Sequence, residues 1–347
     1  MCSSNESKTT RFKQPRNEHG YRGLEPAAAS GGNRQAEYRE SQGAAKGCDY
    51  ASSPDQCPLQ RFEDSVPKKE ENHMSMLDIA IMQKYIRTCD DGWHQGWHER
   101  NGGNLTYRLK AEEAAEMKPF FDENPRPWVN MGVTGANLAG EYFISTGSGK
   151  FFRNVVLDPE DSLCVVEINE AGDSYRIVWG LKNGGRPTSE FPSHFMNHSV
   201  RVAATDGACR VIYHAHPANV IAMTYVLPLT DRDFTRAFWK SATECPVVFP
   251  GGVGVVPWMV PGGAEIALAT CEKMKEFDAA IWAHHGLFAS GPDFDTTFGL
   301  MHTIEKAAQI WVLQKSTGLP ETSTIHDNEL LAIAQEFGVK LREDFLD

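Results

Sequence analysis

The chain has 347 residues, 41% hydrophobic and 23% charged, which is enough apolar material for one large globular domain with accessory sequence, or for two small domains. A formal net charge of −12 excludes a general affinity for nucleic acid or anionic membrane, since both reward an excess of lysine and arginine. The eight cysteines form no Cys-x-x-Cys pair, so they suggest neither a zinc ribbon nor a dense disulfide framework and read as reduced thiols. The N-terminus lacks a basic region followed by an apolar stretch, and no run of about 18 apolar residues appears later, so a cytoplasmic protein is expected.

Residues 1–73 contain no Ile, no Trp, one Val and two Leu, and their 11 Lys and Arg are balanced by 11 Asp and Glu. Such a segment cannot bury enough apolar area to offset the conformational entropy lost on folding, so a disordered extension is expected there. The alternative is that translation starts at Met74 or Met76, with the codons for Lys68 to Glu71 serving as a purine-rich ribosome-binding sequence.

The folded domain is expected over 74–347. Met76, Leu77, Ile79, Ala80, Met82 and Ile86 have helical spacing, which the sequence extends through Trp97 to Arg100. Asn101-Gly102-Gly103-Asn104 breaks that helix, and Leu105 to Leu109 resumes as a strand. Residues 111–140 read as a short helix and irregular loop rich in Pro and Gly. Strands follow at Tyr142 to Thr146, Leu163 to Ile168, Tyr175 to Trp179, Arg210 to Tyr213, Val253 to Val256 and Ala279 to Trp282. Helices fit at Ser193 to Ala204, Asn219 to Tyr225, Ala264 to Lys275 and Phe298 to Lys315.

Gly147-Ser148-Gly149-Lys150 invites a nucleotide-binding reading, but a P-loop needs Ser or Thr after the Lys and Gly five positions before its second Gly. Phe151 and Ile144 stand there instead. What remains is a turn rich in backbone N–H groups and hydroxyls, as are Asn101 to Asn104 and Thr188-Ser189. Singly each is no more than a turn; together the three could cradle one phosphate without net positive charge.

Glu190 follows Thr188-Ser189 at the start of the helix carrying His194 and His198. A carboxylate there suits the helix dipole and needs no other purpose, yet beside a divalent cation it can also move a proton. His194 and His198 are spaced i, i+4 but lack the glutamate of a metalloprotease motif, so they read as structural. His214 and His216 share one strand face, a costly pair to bury without a ligand. A third nitrogen can come from His284 or His285, between which spacing does not choose. Three imidazoles that leave a coordination position open describe a catalytic metal site.

Glu99 to Thr106, Thr146 to Asn154, Pro187 to Glu190, His214-Ala215-His216 and His285-Gly286 occur in the order of the class II aldolase/adducin family, which the chain resembles from about residue 76 to its end. Trp179-Gly180-Leu181, Ser241 to Cys245, Val248-Phe249-Pro250, Pro257 to Gly262 and Ser290-Gly291-Pro292 resemble its rhamnulose-phosphate branch. The resemblance implies a three-layer α/β/α sandwich around a largely antiparallel sheet, and a homotetramer with active sites near subunit interfaces. It implies one zinc ion per subunit on His214, His216 and His285, with Glu190 as the proton-transferring carboxylate. It carries Asn101, Gly103, Asn104, Ser148, Gly149, Thr188 and Ser189 toward phosphate and substrate, and Glu244 toward a neighbouring subunit's site. The implied reaction is retro-aldol cleavage of L-rhamnulose 1-phosphate to dihydroxyacetone phosphate and L-lactaldehyde.

Rival readings on the same framework are a fuculose- or ribulose-phosphate aldolase and a pentulose-phosphate 4-epimerase. A non-catalytic adducin-like module is disfavoured by the intact histidines and Glu190. A metallohydrolase is disfavoured because no further acidic or histidine cluster presents itself.

Overall fold

The structure, a computed structural model, describes residues 74–347; the expectations for residues 1–73 fall outside the described residues. Nine strands are found there: β1 (Asn104–Arg108), β2 (Val129–Asn130), β3 (Tyr142–Thr146), β4 (Leu163–Ile168), β5 (Ser174–Gly180), β6 (Val211–Ala215), β7 (Gly254–Val256), β8 (Ala279–Trp282) and β9 (Gly286–Gly291). They form one sheet in the order β2-β5-β4-β3-β1-β6-β9-β8-β7. Every neighbouring pair is antiparallel except β7 with β8. The α-helices are α1 (Ala80–His94), α2 (Ala111–Met117), α3 (Pro159–Ser162), α4 (Phe191–Ala204), α5 (Ala218–Met223), α6 (Asp231–Trp239), α7 (Cys245–Val248), α8 (Ala264–Met274), α9 (Phe294–Ser316) and α10 (Asp327–Glu336). Among the described residues no helix is long and apolar enough to cross a membrane.

The period of two along each strand divides the core into layers. Leu105 and Tyr107 of β1, Val211, Tyr213 and Ala215 of β6, and Ile281 of β8 join one cluster with α1, α6, α9 and α10, through residues such as Tyr85, Phe238, Ile304 and Leu330. The alternate residues face the other way. Cys164 and Val166 of β4 pack with Phe191 and Phe195 of α4, while Ile212, Trp282 and Phe288 pack with Ile266 and Met274 of α8. Helices thus cover both faces of a mostly antiparallel sheet, which is the expected three-layer α/β/α sandwich. Each fully buried Phe or Ile contributes about 1.5–3 kcal/mol relative to exposure, so both faces are tied firmly to the sheet.

Two expectations are corrected. The first helix does not continue to Arg100: it stops at His94, and Gly96 follows at φ 76°, a left-handed conformation that glycine adopts without strain. Apolar spacing misled here because Trp97, beyond the turn, is buried against Phe298 and His302 of α9 without belonging to a helix itself. The last long helix starts at Phe294 rather than Phe298, where Asp293 caps it by accepting from Thr296 N at 2.7 Å. The structure also adds β2, β9, α3, α6, α7 and α10, none of which the hydrophobic pattern marked.

Candidate active site

β6 ends where the site begins. His214, one step after Tyr213, turns to the α4 and α8 face, stacking on Phe288 and lying against Trp282. His216 lies just past the strand, and His285 sits in the turn between β8 and β9 rather than on a strand. Ring centroids are 5.1 Å apart for His214 and His216, and 5.0 Å for His285 with each of the others. One nitrogen from each of the three imidazoles lies within 4.8 Å of the others.

His284 goes elsewhere. It takes φ 62°, its backbone N–H donates to Thr224 Oγ1 at 3.0 Å, and its ring meets the same hydroxyl through Nδ1 at 3.0 Å. This left-handed residue turns the chain so that His285 alone reaches the cluster. The choice that spacing left open is therefore made by one strained backbone conformation.

The three rings fit a divalent cation. His214 Nδ1 faces Leu287 O at 3.2 Å, while its Nε2 is buried with no hydrogen-bond partner, as is Nδ1 of His285. Burial, and after it the neighbouring His216 and His285, holds His214 well below the ordinary imidazole range. Burial also pushes His285 down to about 4. Both rings are thus neutral and carry lone pairs, which is the state a metal ligand requires.

Glu190 occupies the N-cap position of α4 but makes no capping hydrogen bond with its side chain. The carboxylate accepts instead from Asn104 Nδ2 at 2.9 Å. Burial raises its pKa above the usual carboxylate value, while the Asn104 hydrogen bond and the charge of His216 oppose that rise. Asn104 is brought there by register, since it pairs with His214 across β1 and β6.

Three loops complete the wall. Gly147 bridges to Pro187, Ser148 N donates to Arg186 O at 2.9 Å, and Thr188 N donates to Thr146 O at 2.7 Å. These bonds bind the turn after β3 to the strand-like segment before α4. Lys150 is held away by Asp161 at 2.7 Å, so it is not the phosphate lysine of a P-loop. In the third loop Gly102 N donates to Glu99 O at 2.8 Å, and Gly103 has φ 74°.

Asn101, Gly103, Asn104, Ser148, Gly149, Thr188, Ser189, Glu190, His214, His216 and His285 all line one cleft of about 320 Å³, joined by Pro261 and Gly262. A larger cleft of about 580 Å³, between α1 and the start of α9, contains none of them. Glu244 is exposed on α7 and does not line the cleft of its own chain. His194 and His198 both meet Thr106 Oγ1, at 2.9 and 2.8 Å, inside the α4 layer, so they act as core groups.

Two neighbours of the site were given no role from the sequence, although Glu99 opens one of the family-like segments. His98 is buried, stacked on Phe152, and contacts Gly102 O at 3.0 Å and Tyr213 OH at 2.6 Å. Glu99 Oε1 lies 2.7 Å from His216 Nδ1. Tyr213 is remote from His98 in sequence, as His216 is from Glu99, and only the fold brings them together.

The family model described as Class II Aldolase and Adducin N-terminal domain matches residues 83–312. A rhamnulose-1-phosphate aldolase of Pectobacterium atrosepticum is 48% identical over 265 residues, spanning 76% of this chain and 96% of that protein. Another, from Mannheimia succiniciproducens, is 48% identical over 266 residues, spanning 76% and 97%. The crystal structure of a sugar-phosphate aldolase from Thermotoga maritima superposes with a TM-score of 0.58 at 27% identity, covering 70% of this chain and 97% of that one.

Proposed function

Since the chain belongs to the class II aldolase/adducin family, whose aldolases are metal-dependent carbon–carbon lyases, we propose that residues 74–347 form a zinc-dependent aldolase acting on L-rhamnulose 1-phosphate. The products are dihydroxyacetone phosphate and L-lactaldehyde, and the reaction is reversible. The observation that carries this reading is the meeting of three imidazoles, one raised carboxylate and three N–H-rich loops in a single cleft.

His214, His216 and His285 would hold the zinc ion. When bound, the ion supplies positive charge that polarises the ketose carbonyl and stabilises the enediolate left when the carbon–carbon bond breaks. No lysine Schiff base is then required. Glu190 returns a proton to the enediolate carbon in cleavage and removes it from dihydroxyacetone phosphate in synthesis. Its raised pKa brings it closer to neutral pH, where a carboxylate exchanges protons more readily. Asn101, Gly103, Asn104, Ser148, Gly149, Thr188 and Ser189 donate to phosphate and sugar oxygens from backbone amides and short side chains. That donor set suits a protein whose net charge is −12, because it captures phosphate without a basic patch.

Glu244 belongs to a neighbouring subunit's site in this reading, in a homotetramer with sites near the interfaces. Its exposure on α7 and its absence from its own cleft support that role, in which it assists proton transfer at the aldehyde oxygen. A cytoplasmic enzyme is consistent with the buried thiols of Cys89, Cys164, Cys209, Cys245 and Cys271.

The test is a coupled assay for dihydroxyacetone phosphate with L-rhamnulose 1-phosphate, L-fuculose 1-phosphate and L-ribulose 1-phosphate as alternative substrates. The rhamnulose ester should give the highest kcat/KM, a chelator should abolish turnover, and zinc should restore it. Turnover that survives complete metal removal would refute the mechanism.

A further inference from the structure

We propose that Glu99 is a positioning residue for the metal site, holding the His216 imidazole in the tautomer and orientation that turn its second nitrogen toward the cation. The inference rests on the reading of His214, His216 and His285 as metal ligands. The carboxylate accepts from His216 Nδ1 at 2.7 Å, and it is Glu99's one side-chain hydrogen bond among the described residues. With Nδ1 carrying the proton, Nε2 carries the lone pair.

The three rings differ in what stands behind them. His214 Nδ1 faces a neutral carbonyl, Leu287 O, at 3.2 Å, and neither nitrogen of the His285 ring makes a hydrogen bond among the described residues. His216 alone is backed by a charged group. A carboxylate behind an imidazole fixes the ring and raises its basicity toward a metal. Glu99 is also 69% exposed, so its side chain is free to leave, and the fold does not need it to fill space.

The backbone supports the same assignment. His216 N donates to Trp97 O at 3.0 Å, so segment 97–99 grips both the main chain and the ring of this residue. The ring is also walled by two glycines. A Cβ on Gly102 would fall 2.9 Å from His216 Cε1, and one on Gly286 would fall 3.1 Å from Cδ2. The missing side chains let two backbones lie against the ring, and Glu99 closes the Nδ1 edge. Gly102 N bonds to the backbone oxygen of Glu99, not to its side chain, so removing the carboxylate leaves the substrate loop's turn intact.

The experiment compares the full-length wild type with Glu99→Ala and Glu99→Gln. Zinc affinity is read by competition with a chromogenic chelator, and the His216 tautomer by long-range proton–nitrogen correlation in the metal-free protein. Glu99→Ala should bind zinc about 10–100-fold more weakly and lose the fixed Nδ1–H tautomer, while KM at saturating zinc stays within about twofold. Glu99→Gln, whose amide oxygen still accepts from Nδ1, should recover part of the affinity. Wild-type affinity and tautomer in Glu99→Ala would overturn the proposal while leaving the metal site itself standing. Equal losses in both variants with a lowered Tm would make Glu99 a tether for the loop, which also overturns it. A wild-type protein that binds no zinc would bring down the metal reading and this inference together.

Discussion

Asn104 donates through Nδ2 to Oε2 of Glu190 at 2.9 Å, while its own Oδ1 stays buried without a partner. One amide thus steers the carboxylate and keeps an acceptor free for a substrate hydroxyl. Removing it in Asn104→Ala deletes a hydrogen bond to a charged group, worth about 1.5–3 kcal/mol, so kcat should fall about 10–100-fold. The sign of the pH effect is fixed as well. The bond lowers the Glu190 pKa, so its loss lets burial raise that pKa further. Activity needs the ionised carboxylate in the synthetic direction, and the acid limb of the kcat profile for aldol addition should therefore move to higher pH. A limb that stays put or moves down would contradict the role given to Asn104.

Glu190→Gln and His216→Ala separate chemistry from metal binding. Glu190→Gln keeps the shape of the side chain and lies outside the three imidazoles, so it should retain zinc stoichiometrically and lose about 10²–10⁴-fold in cleavage rate. His216→Ala should lose both the metal and the rate. Metal content by elemental analysis, set beside kcat for each variant, checks the pair; full activity in Glu190→Gln would remove this residue from the mechanism.

Much of this site was legible because it is local in sequence. The i, i+2 spacing placed His214 and His216 on one side, and the turns at 101–104, 147–149 and 188–189 were marked by Gly, Ser, Thr and Asn. The rest depended on contacts that no local pattern carries. Spacing did not separate His285 from His284, a choice that rested on the family resemblance; in the structure the φ of 62° at His284 and the Thr224 hydroxyl that holds it turn His284 away. Glu99 meets His216 across 117 residues of chain. β9 escaped because Gly286 to Gly291 begins and ends in glycine and is too short to alternate clearly, although its pairing with β6 sets the site's floor. α6 escaped for a different reason: its polar first turn, Asp231 to Asp233, is stabilised by the Thr230 cap rather than announced by apolar spacing.

The glycines around His216 give a steric test. Gly102→Ala puts a methyl group 2.9 Å from both the His216 ring and Glu99 O, so the ring and the backbone of the 99–102 turn must both shift. Gly286→Ala puts its methyl 2.3 Å from Ala215 O, a backbone atom of β6 that cannot yield without opening the strand pair. Gly102→Ala should therefore weaken zinc binding with a smaller loss of stability than Gly286→Ala, which should lose about 1–3 kcal/mol as well. Denaturant melts of the metal-free variants beside zinc titrations distinguish the two; equal stability losses would show that the His216 ring is as rigidly held as the strand.

Stability itself should depend on pH through the buried histidines. Burial pushes His98 and His194 each down to about 3, and holds His198 well below the imidazole range. In the unfolded chain these groups titrate near a pKa of about 6.5. Above that value both states are neutral and the histidines add no pH dependence. As pH falls below it, the unfolded chain takes up protons that the folded protein refuses, so stability drops, and it goes on dropping until the folded pKa is reached. Each such group costs about 1.4 kcal/mol per pH unit over that interval. The window from about pH 6.5 to 5 is dominated by the histidines, because most carboxylates titrate below it, while Glu190 and Glu305, raised by burial, act in the opposite sense. In excess chelator, the unfolding free energy from urea melts should fall by more than about 1.4 kcal/mol per unit across this window. His214 and His285, whose pKa values are also depressed, add to the fall with the same sign when no metal is bound. A flat profile there would mean that these rings become protonated without unfolding the protein, and that the α4 layer admits charge its packing should exclude.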